Sequence, residues 1–112
     1  MNDKILHIVT FSLADDVDAQ RIDYVKNRYL KLKDLIPGIE AAHWTSNKSN
    51  SSFGSSWQEC GILLFSNLKT RDQFLVHEEH VAFSKEASNG FYKDVVVFDM
   101  PMQFKLDFTI KF

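Results

Sequence analysis

Four histidines are the side chains of this chain best suited to chemistry near neutral pH. An imidazole changes charge there without large tuning. Two of them, His77 and His80, stand three residues apart in FLVHEEHVAF, Phe74 to Phe83, with Glu78 and Glu79 between them. On a helix that spacing makes them near neighbours. One chemistry is metal binding, but the zinc-protease pattern H-E-x-x-H fails by one residue, since position 81 is Val. A third ligand, His7 or Asp99, would have to come from elsewhere in the fold, so no metal is expected from spacing alone. A second is general acid/base work, for which one neutral imidazole beside an apolar pocket suffices. His77 shares a helix face with Phe74, Val81 and Ser84; His80 shares one with Val76, Phe83 and Ala87. Either could look into the space between helix and sheet, where a small apolar molecule would fit. The third, structural reading makes one histidine a satisfied polar residue at the core edge and leaves the other in water.

His7 poses a similar choice. It is the one polar side chain among Ile5, Val9 and Phe11 on its face of a strand, and burying it unpaired is costly. It either bonds a backbone carbonyl or lines a pocket. Cys60 has no partner nearby for nucleophilic catalysis and reads as packing. Trp44 and Trp57 flank a polar loop and either pack under it, the expected role, or cap a pocket mouth, and Asp99 reads as turn or hydrogen-bond structure. There is no phosphate-binding Gly loop, nucleophile elbow or dinucleotide fingerprint, so no cofactor is expected.

These side chains need elements to position them. Lys4 to Leu13 is rich in Ile, Val and Phe and reads as a strand with large apolar groups on both faces. Asp15 to Ile36 reads as a helix. Asp15, Asp16 and Asp18 load its start, and Ile22, Val25, Tyr29, Leu32 and Ile36 form one apolar stripe. Pro37-Gly38 ends it. Ile39 to Thr45 reads as a second strand, and Thr45 to Ser56 as a mobile polar loop. Gln58 to Phe65 is a third strand. A second helix, capped by Thr70 and ended at Ser88-Asn89-Gly90, carries both His77 and His80. Asp94 to Met100 is a fourth strand. From Phe104 to Phe112 apolar and polar residues alternate strictly, which predicts a further half-buried strand.

The order β-α-β-β-α-β is the ferredoxin-like α+β pattern, an antiparallel sheet with helices on one face, here with an extra C-terminal strand. Residues 1–112 read as one domain, with a core over about 4–100 and an extension over 101–112. Two helices cover one side of the sheet only. The apolar second face predicts a homodimer packed sheet to sheet, with the tail strand adding to the chain's own sheet or to its partner's.

Composition narrows the function classes. With 45% hydrophobic residues and ten phenylalanines the chain has material for a core. A net charge of -2 without a basic run argues against nucleic acid. No apolar run is long enough to span a membrane, no signal peptide is visible, and a single cysteine fits a reducing compartment. A cytoplasmic domain is the expectation.

Several pieces resemble the stress-responsive A/B barrel (Dabb) family of dimeric α+β barrels. They are His7-Ile8-Val9 with Phe11, Ile36-Pro37-Gly38-Ile39, Phe65-Ser66, the pair His77 and His80, and Val95 to Asp99, in the family's order from about residue 4 to 100. The resemblance implies a homodimer with a small cavity between each sheet and its helices. Most members have no assigned activity. In a plant polyketide cyclase of this type, olivetolic acid cyclase, the second motif histidine acts with a tyrosine. That histidine matches His80, which makes His80 the first catalytic candidate and His77 the second. The first-strand pocket histidine matches His7, so His7, Val9, Phe11 and Phe74 are the expected ligand-binding residues. Phe74 occupies the tyrosine's position and has no hydroxyl, and Glu78 stands where the family usually has proline. Two functions follow: a dimer that binds a small apolar molecule and uses histidine for proton transfer, or a non-catalytic structural or stress-response dimer.

Overall fold

A computed structural model describes residues 3–103. Its elements run β1 (Lys4–Leu13), α1 (Ala19–Leu35), β2 (Ile39–Ser46), β3 (Glu59–Phe65), α2 (Leu68–Val76), α3 (Glu78–Ser88) and β4 (Tyr92–Met102). The four strands form one antiparallel sheet in the order β2-β3-β1-β4. This is the ferredoxin-like α+β fold expected from the sequence. The strand expected over Phe104 to Phe112 lies outside the described residues.

Alternation along β1 decides what each sheet face does. Ile5, His7, Val9 and Phe11 are buried beneath the helices, whereas Leu6, Ile8 and Thr10 on the other face are only half-buried. The same split runs across the sheet. Leu63 and Phe65 of β3 face the helices and are fully buried; Ile62 and Leu64 face away. On β4, Phe98 and Met100 face away and stay about half exposed.

Helix α1 begins at Asp18, whose side chain accepts the backbone N–H of Arg21 at 2.8 Å. The strands and α1 therefore follow their expected boundaries within a few residues. Val25, Tyr29 and Leu32 are its buried stripe. Gly38 then turns the chain with φ 91°, a conformation side chains disfavour.

The second helix differs from expectation. It is two helices, and its cap is Asn67 rather than Thr70. Asn67 accepts from Thr70 N–H while the Thr70 hydroxyl accepts from Asn67 N–H, a reciprocal capping box. The chain breaks at His77, whose backbone is extended at φ -68°, ψ 137°. Its Nδ1 accepts the N–H of Glu79 at 3.1 Å, so His77 is the N-cap of α3. Glu78 and Glu79 place negative charge in the new first turn, which a helix N-terminus favours. Position 78, where the resemblance expects proline, is thus the first residue of a helix, a place that suits proline and acidic side chains alike.

Arg21 locks α1 to α3 by donating from Nη2 to the carbonyls of Glu86 and Asn89 at 2.9 and 3.2 Å. The loop after β2 is organised by Asn47: its Nδ2 donates to the carbonyls of Gly54 and Trp57, each at 2.8 Å, and its Oδ1 accepts from Ser49. A stretch that composition marks only as polar is therefore closed by side-chain to backbone bonds.

Candidate functional site

The fold opens a cavity of about 260 Å³ between the sheet and the helices. Its floor is β1, through His7, Val9 and Phe11, with Val95 and Val97 alongside from β4. Its roof is Phe74 of α2 with His80 and Phe83 of α3, and Tyr29 of α1 enters from the side. Five expected site residues, His7, Val9, Phe11, Phe74 and His80, are thus brought together around one space. His77 is not among the lining residues: the helix break that makes it a cap also turns it away from its expected face.

His80 sits at the rim. It also lines an adjoining surface groove with Val81 and Lys85, so it stands between the cavity and solvent. Its ring lies on Phe74 with centroids 4.1 Å apart and planes 35° from parallel. Nδ1 donates to the Leu75 carbonyl at 3.3 Å, and the Ser84 hydroxyl lies 3.3 Å from Nε2. Burial lowers the pKa of His80, only partly opposed by the Leu75 hydrogen bond, and neighbouring His7 lowers it further. The side chain is therefore neutral at pH 7, free to accept a proton.

His7 is buried, with ring contacts to Phe65 and Phe74. Its partner among the described residues is a side chain rather than a backbone carbonyl. β4 pairs with β1 so that Asp99 stands directly opposite, and Nδ1 lies 2.8 Å from Asp99 Oδ1. Asp99 Oδ2 in turn meets Arg71 Nη1 of α2 at 3.0 Å. Asp99, expected as turn or hydrogen-bond structure at a strand end, is hydrogen-bond structure, but inside β4, and it links sheet to helix by bonding His7 and pairing with Arg71.

Tyr29 is the residue that sequence reasoning missed. Its place in the apolar stripe of α1 hid its hydroxyl, which is buried without a hydrogen-bond partner among the described residues. Burial raises its pKa well above the usual tyrosine value, so the phenol keeps its proton. The ring can lie on the sheet because position 61 is glycine: a Cβ there would sit 2.6 Å from Tyr29 Cζ. That dependence on Gly61 was the available signal.

The remaining candidates are structural. Trp44 is buried and donates from Nε1 to Glu59 at 2.7 Å. Cys60 is half-buried on the outer sheet face, where burial pushes its thiol pKa up. No cluster of three or more His, Cys, Asp or Glu able to hold a metal occurs among the described residues. No helix among them is long and apolar enough to cross a membrane.

Known proteins sharpen this picture. The Arabidopsis thaliana protein At3g17210 matches the fold with a TM-score of 0.81 at 22% identity, over 91% of this chain and 99% of its own. A hydroxynitrile lyase from Passiflora edulis matches at 0.83 and 15% identity, over 95% and 99%. A dimeric protein of unknown function with a ferredoxin-like fold, from Bacteroides fragilis, matches at 0.68 and 25%, over 88% and 96%. No curated protein matches the sequence. The model of the Stress responsive A/B Barrel Domain matches residues 5–102, and the chain belongs to this Dabb family.

Proposed function

We propose that this Dabb domain is a homodimer that binds a small, mainly apolar molecule carrying one oxygen function, with His80 as its proton-transferring group. The observation that carries the reading is the cavity that His7, His80 and Tyr29 line together, with the Tyr29 hydroxyl buried and unpartnered just behind its wall. An unpaired buried hydroxyl costs about 1–3 kcal/mol. A ligand oxygen that accepted its proton would remove that cost. Otherwise the walls are mostly aromatic and aliphatic, and the volume lies near the lower end of ligand pockets, about 300 Å³. A neutral His80 at the rim can take a proton from, or return one to, a bound ligand at neutral pH. That the Passiflora hydroxynitrile lyase shares the fold makes an enzyme on this scaffold reasonable, by analogy of fold.

A second reading, a dimer that binds without turnover, is favoured by one feature. The aromatic ring against His80 belongs to Phe74, which offers no hydroxyl to act with it. The dimer is supported by the outer sheet face, where Leu6, Ile8, Ile62, Phe98 and Met100 are left partly or largely exposed. The Bacteroides relative is described as dimeric. We place the protein in the cytoplasm, in keeping with its free Cys60.

Thermal melts with benzaldehyde and with benzene test the binding reading, because a ligand stabilises a protein in proportion to its affinity. Benzaldehyde should raise the Tm more than benzene does, and Tyr29→Phe should abolish the difference. Equal shifts in the wild type would reject an oxygen-directed cavity. His80→Ala should retain binding; if an activity is found, it should fall by about 10²–10⁴-fold.

A further inference from the structure

We propose that Asp99 and Arg71 are positioning residues for His7: together they fix its tautomer, presenting Nε2 to the cavity as an acceptor and selecting ligands with a hydroxyl. The selectivity half of this inference rests on the ligand-binding reading; the tautomer half does not. A carboxylate paired with a guanidinium only accepts hydrogen bonds. The 2.8 Å contact between His7 Nδ1 and Asp99 Oδ1 therefore places the ring hydrogen on Nδ1. In the neutral ring Nε2 then carries the lone pair, and His7 lines the cavity.

Arg71 completes the device. The guanidinium 3.0 Å from the other Asp99 oxygen holds the carboxylate in place, with its first oxygen turned to His7. Arg71 is itself held by Asp72, at 2.8 Å from Nη2 and 3.0 Å from Nε. The charged and titratable groups around His7 are therefore Asp99 from β4, Arg71 and Asp72 from α2, His80 from α3, and the neutral Tyr29 from α1.

The consequence is chemical selectivity. Tyr29 offers a proton, and His7 Nε2 offers a lone pair. A ligand hydroxyl can accept the first and donate to the second; a carbonyl or ether satisfies only Tyr29. An alcohol or phenol is therefore the matching class.

The test is long-range ¹H–¹⁵N NMR of the histidines in the full-length protein, together with binding of phenol and of its methyl ether, anisole. At pH 8 wild-type His7 should be the Nδ1–H form. In Asp99→Asn, Arg71 should hold the amide oxygen and turn the NH₂ toward His7, switching it to the Nε2–H form, as asparagine in place of a triad aspartate is known to do. In Arg71→Gln the tautomer should persist, whereas in the double variant Asp99→Asn/Arg71→Gln nothing orients the amide and the ring should become a mixture of tautomers. A merely structural role moves none of these. An Nε2–H or mixed ring in the wild type overturns the proposal, and that spectrum decides even if a variant does not fold. Wild-type protein should prefer phenol over anisole by about five- to tenfold, one hydrogen bond's worth, and Asp99→Asn should lose the preference. An Nδ1–H ring with equal binding of both probes supports the positioning role and overturns the hydroxyl selectivity with the ligand reading on which it rests.

Discussion

Tyr29 carries two opposing demands in one side chain. Its ring packs edge-on against Trp44 and Phe83, with centroids 5.4 and 5.6 Å away, and stabilises the core. Its hydroxyl is buried without a partner and works against stability. Tyr29→Phe should therefore raise the stability of the free protein by about 1 kcal/mol, measured by urea denaturation, while weakening oxygen-bearing ligands. Alkali extends the same prediction. The folded-state pKa of Tyr29 is raised by burial, so its contribution is full below the unfolded value of about 10 and is lost as pH rises through and beyond it. The wild type should lose stability above about pH 10 more steeply than Tyr29→Phe does. His80 has the opposite sign of shift. Its lowered pKa gives stability that is complete above the ordinary imidazole value of about 6.5 and declines as pH falls below it.

At the scale of elements, the break between α2 and α3 separates two histidines that share a motif. His77 ends one helix and caps the next; His80, one turn on, reaches the cavity rim. Their substitutions should separate as well. His77→Ala removes a capping acceptor and should cost about 1 kcal/mol in thermal or urea melts, with binding in the cavity unchanged within error. A loss of ligand binding in His77→Ala, or no loss of stability, would contradict the division. The β1–β4 pairing is equally specific. A register slip of one residue would move His7 from beneath the helices to the outer face and part it from Asp99.

At the scale of the whole molecule, the sheet has one face too many for its helices. Half-exposed Phe98 and Met100 lie beside Ile8 and Leu6 across the β1–β4 ladder, a continuous apolar surface of the kind that marks an interface. Phe98→Asp places a charge in that surface without touching the helix side. The variant should sediment as a folded monomer under conditions where the wild type sediments as a dimer. A monomeric wild type at micromolar concentration would reject the dimer.

Local chemistry sufficed for the elements. Short runs rich in Ile, Val and Phe specify strands, the stripe through Val25, Tyr29 and Leu32 specifies α1, and Pro37-Gly38 stops it. These signals arise between residues close in the chain, so the order of elements, the ferredoxin-like class and the Dabb resemblance were all legible. The resemblance also pointed to His7 and His80, and the cavity joins them. What only the tertiary structure decided depends on contacts between distant residues. The Asp99 carboxylate reaches His7 across 92 positions of sequence. Arg71 reaches Asp99 from a different element. Tyr29 looked like ordinary core until Gly61 and the cavity wall were placed around its hydroxyl. Helical spacing put His77 beside His80; a competing side-chain cap, which periodicity does not register, took it out of the site.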